Sequence, residues 1–314
     1  MKILLTGANS FTGYWFARTL ASAGHDLTMT LRRNPSAYDG VRQERATMLK
    51  DFGQLACSCS FGDDQFLETI ANAGDWDLLC HHASDVTDYR SPNFDVPAAF
   101  AANTRQIDRV FATLAAKGGT AAIITGSVFE PGEGAGSGGL PAFSAYGLSK
   151  ALTARSAAFY AERHGLALGK FVIPNPFGPF EEPRFTAYLM RTWLAKETAS
   201  VRTPDYVRDN IHVSLLSLAY ARFAGEIVHA ARPMHLNPSG YIESQGAFAT
   251  RFRHAMQARL NLPCGLNLLE QTAFDEPRVR INTDPVDGPA LGWDEAGAWD
   301  TVAEYYLRRQ TAKT

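Results

Sequence analysis

The 314-residue sequence predicts an α/β protein built on a doubly wound parallel sheet, and two features carry that expectation. Short apolar runs alternate with helical patterns through the first half of the chain. The first run, Met1-Lys2-Ile3-Leu4-Leu5, passes directly into a glycine-bearing loop, Thr6 to Gly13 (TGANSFTG), at the place of the first strand-to-helix connection.

In order, Lys2–Leu5 reads as a strand and Tyr14–Ala23 as a helix closed by Gly24. His25–Leu31 is a second strand, followed by the polar segment Arg32–Gln43. Leu55–Phe61 reads as a third strand and Gln65–Ala73 as a helix. Asp77–His81 and Ala121–Thr125 are further strands, with one helix, Pro97–Ala116, between them. Ala145–His164 is a long helix and Ala167–Ile173 a buried strand. From Pro174 the alternation loosens, and Pro, Gly and Asn become frequent, as in NPFGPFEEP and HLNPSGY. Residues 1–173 are therefore expected to form the sheet domain. Residues 174–314 are expected to form mainly a smaller C-terminal lobe, with some segments returning to the sheet. The Gly132–Gly139 stretch, GEGAGSGG, reads as a mobile active-site loop.

Composition narrows the partners. With a net charge of −2 and no Lys/Arg run, neither nucleic acid nor an anionic membrane is expected. No apolar run is long enough to span a bilayer, and with a strand at the very start no signal peptide is expected. Cys57, Cys59, Cys80 and Cys264 form no C-x-x-C pair, so free thiols and a cytoplasmic location are expected. His81, His82 and His212 lack further ligands at suitable spacing, so no metal site is expected.

Three constellations carry chemistry. In the glycine loop, Gly7 permits a tight turn and Gly13 lets the helix pack closely, leaving N-terminal amides for phosphate. Ser10 replaces the middle glycine of the usual dinucleotide fingerprint, and its hydroxyl can itself donate a hydrogen bond to a phosphate oxygen. The second strand ends in Leu31-Arg32-Arg33, where a free ribose 2′-OH would call for an acid; two guanidinium groups suit a 2′-phosphate instead. Tyr146 and Lys150 lie one helical turn apart, so the ammonium can lower the phenol's pKa for proton transfer. Upstream, Thr125-Gly126-Ser127 closes a strand, and Ser127 can hold a substrate oxygen by hydrogen bonding. Thr125, at the same strand end, is an alternative to Ser127.

Together these segments resemble the extended short-chain dehydrogenase/reductase family, the NAD-dependent epimerases and dehydratases that modify nucleotide sugars. TGANSFTG resembles TGxxGFxG, LLCHHAS resembles VIHLAA, YGLSK the Tyr-x-x-x-Lys motif, NPFGP resembles NVYGP and YVRDNIHV resembles VRDFIHV. The LGW near residue 292 matches the family's C-terminal signature, and Asn103 falls where the family has an asparagine behind the active site. The resemblance implies a Rossmann domain and a C-terminal substrate-binding lobe. It implies that Gly7, Asn9, Ser10, Phe11, Gly13, Arg32, Arg33, Asp63, Asp64, His81, Ala83, Lys150 and Pro174 bind the cofactor, with Asp63 on adenine. Ser127, Tyr146 and Lys150 would be catalytic, and Ser84, Thr125, Asn175, Arg208 and Arg278 would meet the substrate, the arginines at its diphosphate. Family members often dimerise through the Asn103 and Tyr146 helices, which implies a homodimer.

Among the family's reactions, a dehydratase usually carries an Asp-Glu pair right after the Ser/Thr, whereas here only Glu130 follows, three residues on. An epimerase recycling NAD would favour an acid after the second strand. NADP(H) is therefore the expected cofactor, with NAD(H) as the alternative. The expected activity is NADPH-dependent reduction of a 4-keto, or 4-keto-6-deoxy, nucleotide sugar. A nucleotide-sugar epimerase with tightly bound NAD(P) is the alternative. A non-catalytic NADP-binding regulator would not need the intact Tyr146/Lys150 pair.

Overall fold

The computed structural model describes residues 1–311. Its chain opens with β1 (Lys2–Thr6), α1 (Phe11–Ser22), β2 (Asp26–Leu31), α2 (Gly40–Met48), β3 (Gln54–Cys57), α3 (Asp64–Ala73) and β4 (Leu78–His81). There follow α4 (Val96–Asn103), α5 (Ile107–Ala116), β5 (Ala121–Ser127), β6 (Ala135–Gly136), α6 (Ala145–Arg163), β7 (Ala167–Ile173), β8 (Asn175–Phe177) and α7 (Phe185–Leu194). Next come β9 (Ala199–Val201), β10 (Val207–His212), α8 (Val213–Ala230), β11 (Met234–Leu236), β12 (Pro238–Ser239), β13 (Tyr241–Ser244) and α9 (Gln245–Leu260). β14 (Leu266–Leu268), β15 (Val279–Ile281), β16 (Asp284–Pro285) and α10 (Glu295–Thr311) complete it.

The chain divides into two units. The first comprises Met1–Glu133, Leu140–Ile173 and Ser217–Asn237. Its seven strands run in the order β11-β7-β5-β4-β1-β2-β3, and every pairing is parallel. Helices cover both faces of such a sheet, so its strands are apolar on both sides. Ile3, Leu4 and Leu5 of β1, and Leu78, Leu79 and Cys80 of β4, are all fully buried. One face packs Leu4, Leu79 and Ile124 under Phe66, Val110, Phe111 and Leu114 of α3 and α5, with Ala157 and Ala161 bringing α6 close. On the other face Phe16 of α1 stacks on Tyr220 of α8, ring centroids 3.9 Å apart.

The second unit comprises Gly134–Gly139, Pro174–Leu216 and the chain from Pro238 onward. Its largest sheet runs β13-β10-β15-β6, with β8 also paired to β10. Aromatic packing fills its core: Phe177, Trp193, Phe248, Phe252 and Trp299 form one buried cluster.

The structure corrects the expected elements at four places. The single helix expected over Pro97–Ala116 is two, α4 and α5, because Gln106 adopts a left-handed conformation (φ 48°) and donates through its side chain to Gly62 O. The third strand stops at Cys57, where Ser58 turns left-handed (φ 52°). The polar segment after β2 leads into a helix that the sequence reading lacked, α2, whose Arg45 is fully buried. The Gly132–Gly139 loop contains a strand: β6 pairs antiparallel with β15, Arg280 opposite Gly136 and Ile281 opposite Ala135. Gly134 is needed there, since a Cβ would lie 2.0 Å from Ile281 O. The four cysteines are free, and no helix among the described residues is long and apolar enough to cross a membrane.

One carboxyl in the second unit makes stability pH-dependent. Glu181 is buried, and its Oε1 accepts hydrogen bonds from Thr186 Oγ1 (2.6 Å) and Tyr306 Oη (2.8 Å). Burial outweighs those bonds and raises its pKa from 4.5 to about 7. The folded state therefore favours the protonated form. Its stabilising contribution is complete below pH 4.5 and is lost as the pH rises to about 7. Glu181→Gln is expected to remove this loss. Urea denaturation from pH 4 to 8 should show the wild type losing up to about 1.4 kcal/mol per pH unit relative to the variant across that window. Parallel curves for the two proteins would refute the assignment.

Candidate active site

The site of the first unit is built on the C-terminal ends of β1, β4 and β5. Gly7 turns the chain at the end of β1 with φ +73°, a conformation that disfavours any Cβ. A Cβ there would also lie 2.7 Å from Ala83 N, just beyond β4, and one on Gly13 would lie 2.2 Å from Gly7 O. The loop thus holds α1 close, presenting a helix N-terminus, where first-turn N–H groups have no intrahelical acceptor and attract anions. This cradle, which a side chain at either glycine would fill, fits a dinucleotide pyrophosphate.

Ser10 is the N-cap of α1: its hydroxyl accepts from Gly13 N at 3.0 Å. A residue that departs from the glycine pattern therefore still closes the turn. Asn9 offers its carbonyl to the buried guanidinium of Arg45, which donates from Nε at 3.1 Å. Arg32 and Arg33 follow β2 directly and are exposed. Asp63 caps α3, its two carboxylate oxygens accepting from Ser60 N and Phe66 N at 2.8 Å, while Asp64 begins that helix and is exposed.

His81 faces inward rather than toward solvent. Its Nδ1 lies 3.0 Å from Thr6 Oγ1 and its Nε2 3.0 Å from Asn103 O, and its ring stacks on Phe61. Burial drives its pKa down to about 3, so it is a neutral clamp. Ala83 donates its N–H to Thr6 Oγ1. Asn103 is buried, donates to Ser84 Oγ at 3.2 Å and accepts from Asp85 N at 2.9 Å.

The catalytic candidates meet around one turn. Ser127 ends β5, and its hydroxyl accepts from Phe129 N at 3.2 Å. The Phe129 ring lies edge-on to Tyr146, which Tyr89 and Phe94 also flank, with centroids 5.6–6.5 Å away. Tyr146 sits in the first turn of α6, capped by Ser144, and Gly147 must lack a side chain because Phe129 O would be 2.0 Å from its Cβ. One turn on, Lys150 is buried, and burial pulls its pKa down to about 8 against the opposing pull of Glu130.

A charged network behind this turn was missed by the sequence reading, which saw Glu130 only as a failed Asp-Glu pair. Glu130 is fully buried; Oε1 accepts from Ser127 N at 2.8 Å and Oε2 pairs with Lys170 Nζ at 2.5 Å. Lys170 also pairs with Glu133 at 2.6 Å, and His235 Nε2 lies 3.0 Å from the other Glu133 oxygen. Burial opposes charge on Glu133, but His235 and Lys170 outweigh it and bring the pKa to about 2. Gly126 is glycine for this reason: its Cβ would meet Lys170 Cε at 2.9 Å and Glu130 Oε1 at 3.0 Å. No local pattern announces the network, because its members come from β5, the following turn, β7 and β11.

The second unit holds three of the expected substrate residues, Asn175, Arg208 and Arg278, whereas Ser84 and Thr125 lie in the first. Pro174 precedes β8, and Asn175 begins it, paired with Asn210 of β10. Arg208 lines a cleft of about 260 Å³ with Thr203, Tyr206, Gln245, Asp275 and Glu276. Its guanidinium donates to Val207 O, Pro277 O and Arg278 O, pairs with Glu276 at 3.0 Å and lies over the Tyr206 ring. Arg278 is exposed, its guanidinium over Phe274. Among the described residues, no group of three or more His, Cys, Asp or Glu side chains is placed to hold a metal ion.

Comparison with known proteins gives a single family. The model of the NAD dependent epimerase/dehydratase family matches residues 3–237. No curated protein matches at the level of sequence. Among solved structures, the chain is similar to UDP-glucose-4-epimerase from Stenotrophomonas maltophila with bound NAD and formylated UDP-arabinopyranose (TM-score 0.76, 16% identity, 99% of each chain covered). It is similar to UDP-glucuronic acid 4-epimerase from Bacillus cereus in complex with UDP-glucuronic acid and NAD (TM-score 0.74, 15% identity, 98% of this chain and 100% of the other). It also resembles MoeE5 in complex with UDP-glucose and NAD (TM-score 0.70, 20% identity, 99% and 100%). At these identities the likeness establishes the fold.

The charged network yields a stability test. Lys170→Met takes the cation away from buried Glu130 and leaves Glu133 with His235 alone, and is expected to cost roughly 3–5 kcal/mol in urea denaturation. Adding Glu130→Gln and Glu133→Gln should recover most of the loss. Additive losses would mean that the three groups do not act as a unit.

Proposed function

Because the chain belongs to the NAD dependent epimerase/dehydratase family, we propose that it is an NADPH-dependent reductase of a 4-keto nucleotide sugar, with 4-keto-6-deoxy sugars as the first substrates to try. It is an enzyme of the extended short-chain dehydrogenase/reductase type. The observation that carries the choice of reductase is the end of β2, where exposed Arg32 and Arg33 stand directly after Leu31. Guanidinium forks there suit the 2′-phosphate of NADP(H), the cofactor that a reductase consumes.

In this reading Gly7, Asn9, Ser10, Phe11 and Gly13 hold the pyrophosphate, and Arg32 and Arg33 the 2′-phosphate. Asp63, Asp64, His81, Ala83 and Pro174 border or support the same cofactor. When bound, the nicotinamide supplies hydride to the C4 carbonyl carbon. The chain supplies the proton. Tyr146 gives its phenolic proton to the carbonyl oxygen as charge develops there, and Ser127, or Thr125 in its place, holds that oxygen by a hydrogen bond. Lys150, one turn along α6, is the cation that favours the resulting phenolate. Ser84 and Asn175 contact the sugar. Arg208 and Arg278 meet the diphosphate, which requires Arg208 to exchange its pairing with Glu276 for the ligand.

A 4-epimerase is the second reading, favoured by structural neighbours that are UDP-sugar 4-epimerases with NAD. The same Tyr146 and Ser127 would serve, with hydride returned to the opposite face. The free cysteines suit a reducing cytoplasm.

Titration of the purified protein with NADPH and NADH separates the readings. NADPH is expected to bind at least about tenfold tighter, with the preference abolished in Arg32→Ala/Arg33→Ala, since charge-assisted hydrogen bonds are worth about 1.5–3 kcal/mol each. NADPH should then be consumed with 4-keto nucleotide sugars by the wild type and not by Tyr146→Phe. NAD retained through purification and indifferent to the arginines would overturn the reductase in favour of the epimerase.

We also propose a homodimer through α6. Leu148, Leu152 and Phe159 lie on one face of that helix and are 41%, 39% and 62% exposed. Light scattering should give twice the 34.3 kDa chain mass, and Leu152→Glu/Phe159→Glu should give the monomer. A monomeric wild type would refute the dimer.

A further inference from the structure

His82 stands where the family pattern VIHLAA has leucine, and its imidazole touches three hydroxyls in two separate parts of the site. Its Nε2 lies 2.9 Å from Ser10 Oγ and 2.9 Å from Thr12 Oγ1, the N-cap and second residue of α1. Its Nδ1 lies 2.9 Å from Thr125 Oγ1, two residues before Ser127 on β5. Phe16 packs edge-on against the ring at 5.1 Å. Burial first, and Lys150 and His81 after it, lower its pKa to about 3. The ring is therefore neutral, with one nitrogen donating and the other accepting. Hydroxyl groups rotate to serve either tautomer, so both contacts persist whichever nitrogen carries the proton. A leucine at this position would fill the volume and leave all three hydroxyls without this partner.

We propose that His82 is a positioning residue that ties the dinucleotide-binding loop to the strand end carrying Thr125 and Ser127, so that tight dinucleotide binding depends on its Nε2 contact with Ser10 and Thr12. The inference rests on the cofactor part of the proposed function. The physical reason is preorganisation. Ser10 bridges Gly13 N and the imidazole, so the ring holds the loop in the form that presents its amides, and ordering it beforehand lowers the entropy cost of binding. Thr125, buried on the rigid central sheet, is the fixed end of the tie.

The test uses three variants of the full chain and two readouts. In Gln the side-chain amide reaches the place of a histidine Nε2, whereas in Asn it reaches the place of Nδ1. His82→Gln therefore keeps the loop contact and loses Thr125, while His82→Asn keeps Thr125 and loses the loop. NADPH and NAD affinities are measured by fluorescence titration, and the melting temperature of each ligand-free protein serves as the folding control. His82→Leu and His82→Asn are expected to weaken both cofactors about tenfold, the equivalent of one net hydrogen bond, while His82→Gln binds within about twofold of wild type. A purely structural histidine would lower the melting temperature without separating Gln from Asn. If His82→Leu does not fold, the Gln and Asn pair decides. Equal affinities for Gln and Asn, or a weaker Gln, overturn the inference while the proposed function stands. A wild-type protein that binds neither dinucleotide overturns both.

Discussion

There is no room for a side chain where the first strand turns into the first helix, and the first unit is arranged around that constraint. Backbone from residue 83 lies against Gly7, and the carbonyl of Gly7 lies against Gly13. The loop can be that close to the chain beyond β4 only if β4 is the neighbour of β1, as the pairing shows. β2 takes the other flank of β1, so strand order reverses there and a crevice opens at the strands' C-terminal ends. Thr6, His81, Thr125 and Ser127 all arrive at those ends by the geometry of parallel pairing rather than by separate devices.

Such a rim is polar and buried, which is costly unless each group finds a partner. The chain uses two different solutions. His81 and Asn103 are neutral and satisfied by hydroxyls and backbone groups, so they add geometry without charge. Lys170 instead bridges Glu130 and Glu133 in two ion pairs. Buried ion pairs seldom add much net stability over apolar residues of similar size. Their placement behind Ser127 therefore argues for fixing a turn, since Glu130 grips the Ser127 N–H directly.

How much of this the sequence could disclose follows from the range of the interactions involved. The alternation of strands and helices, the glycine loop and the Tyr146/Lys150 pair are patterns within a few residues, and each was legible. Ser10 looked like a defect in the loop, yet as an N-cap three residues from Gly13 it does local work that the sequence allows. The break before α5 depends on Gln106 reaching Gly62, 44 residues away, and the burial of Arg45 on its reach to Asn9. β6 exists only because a strand more than 140 residues later lies beside it. His82 reads as one of two adjacent histidines until the fold brings Ser10, Thr12 and Thr125 around it. Long-range pairing has no local signature, so these features had to be seen.

The two halves of the proposed chemistry sit in different dielectric surroundings, and that difference explains what each can vary. Arg32 and Arg33 are exposed, so their attraction for a phosphate is screened by salt and replaceable at little cost to the fold. In the proposed function, cofactor choice thus rests on surface side chains. Lys150 and Glu130 are buried beside the turn that carries Ser127, where each charge alters its neighbours and the packing at once. A substitution there disturbs Lys150, the Ser127 turn and the sheet together. The proposed proton-handling residues are consequently held by the fold itself, while the proposed preference for NADP(H) rests on two side chains at the end of one strand.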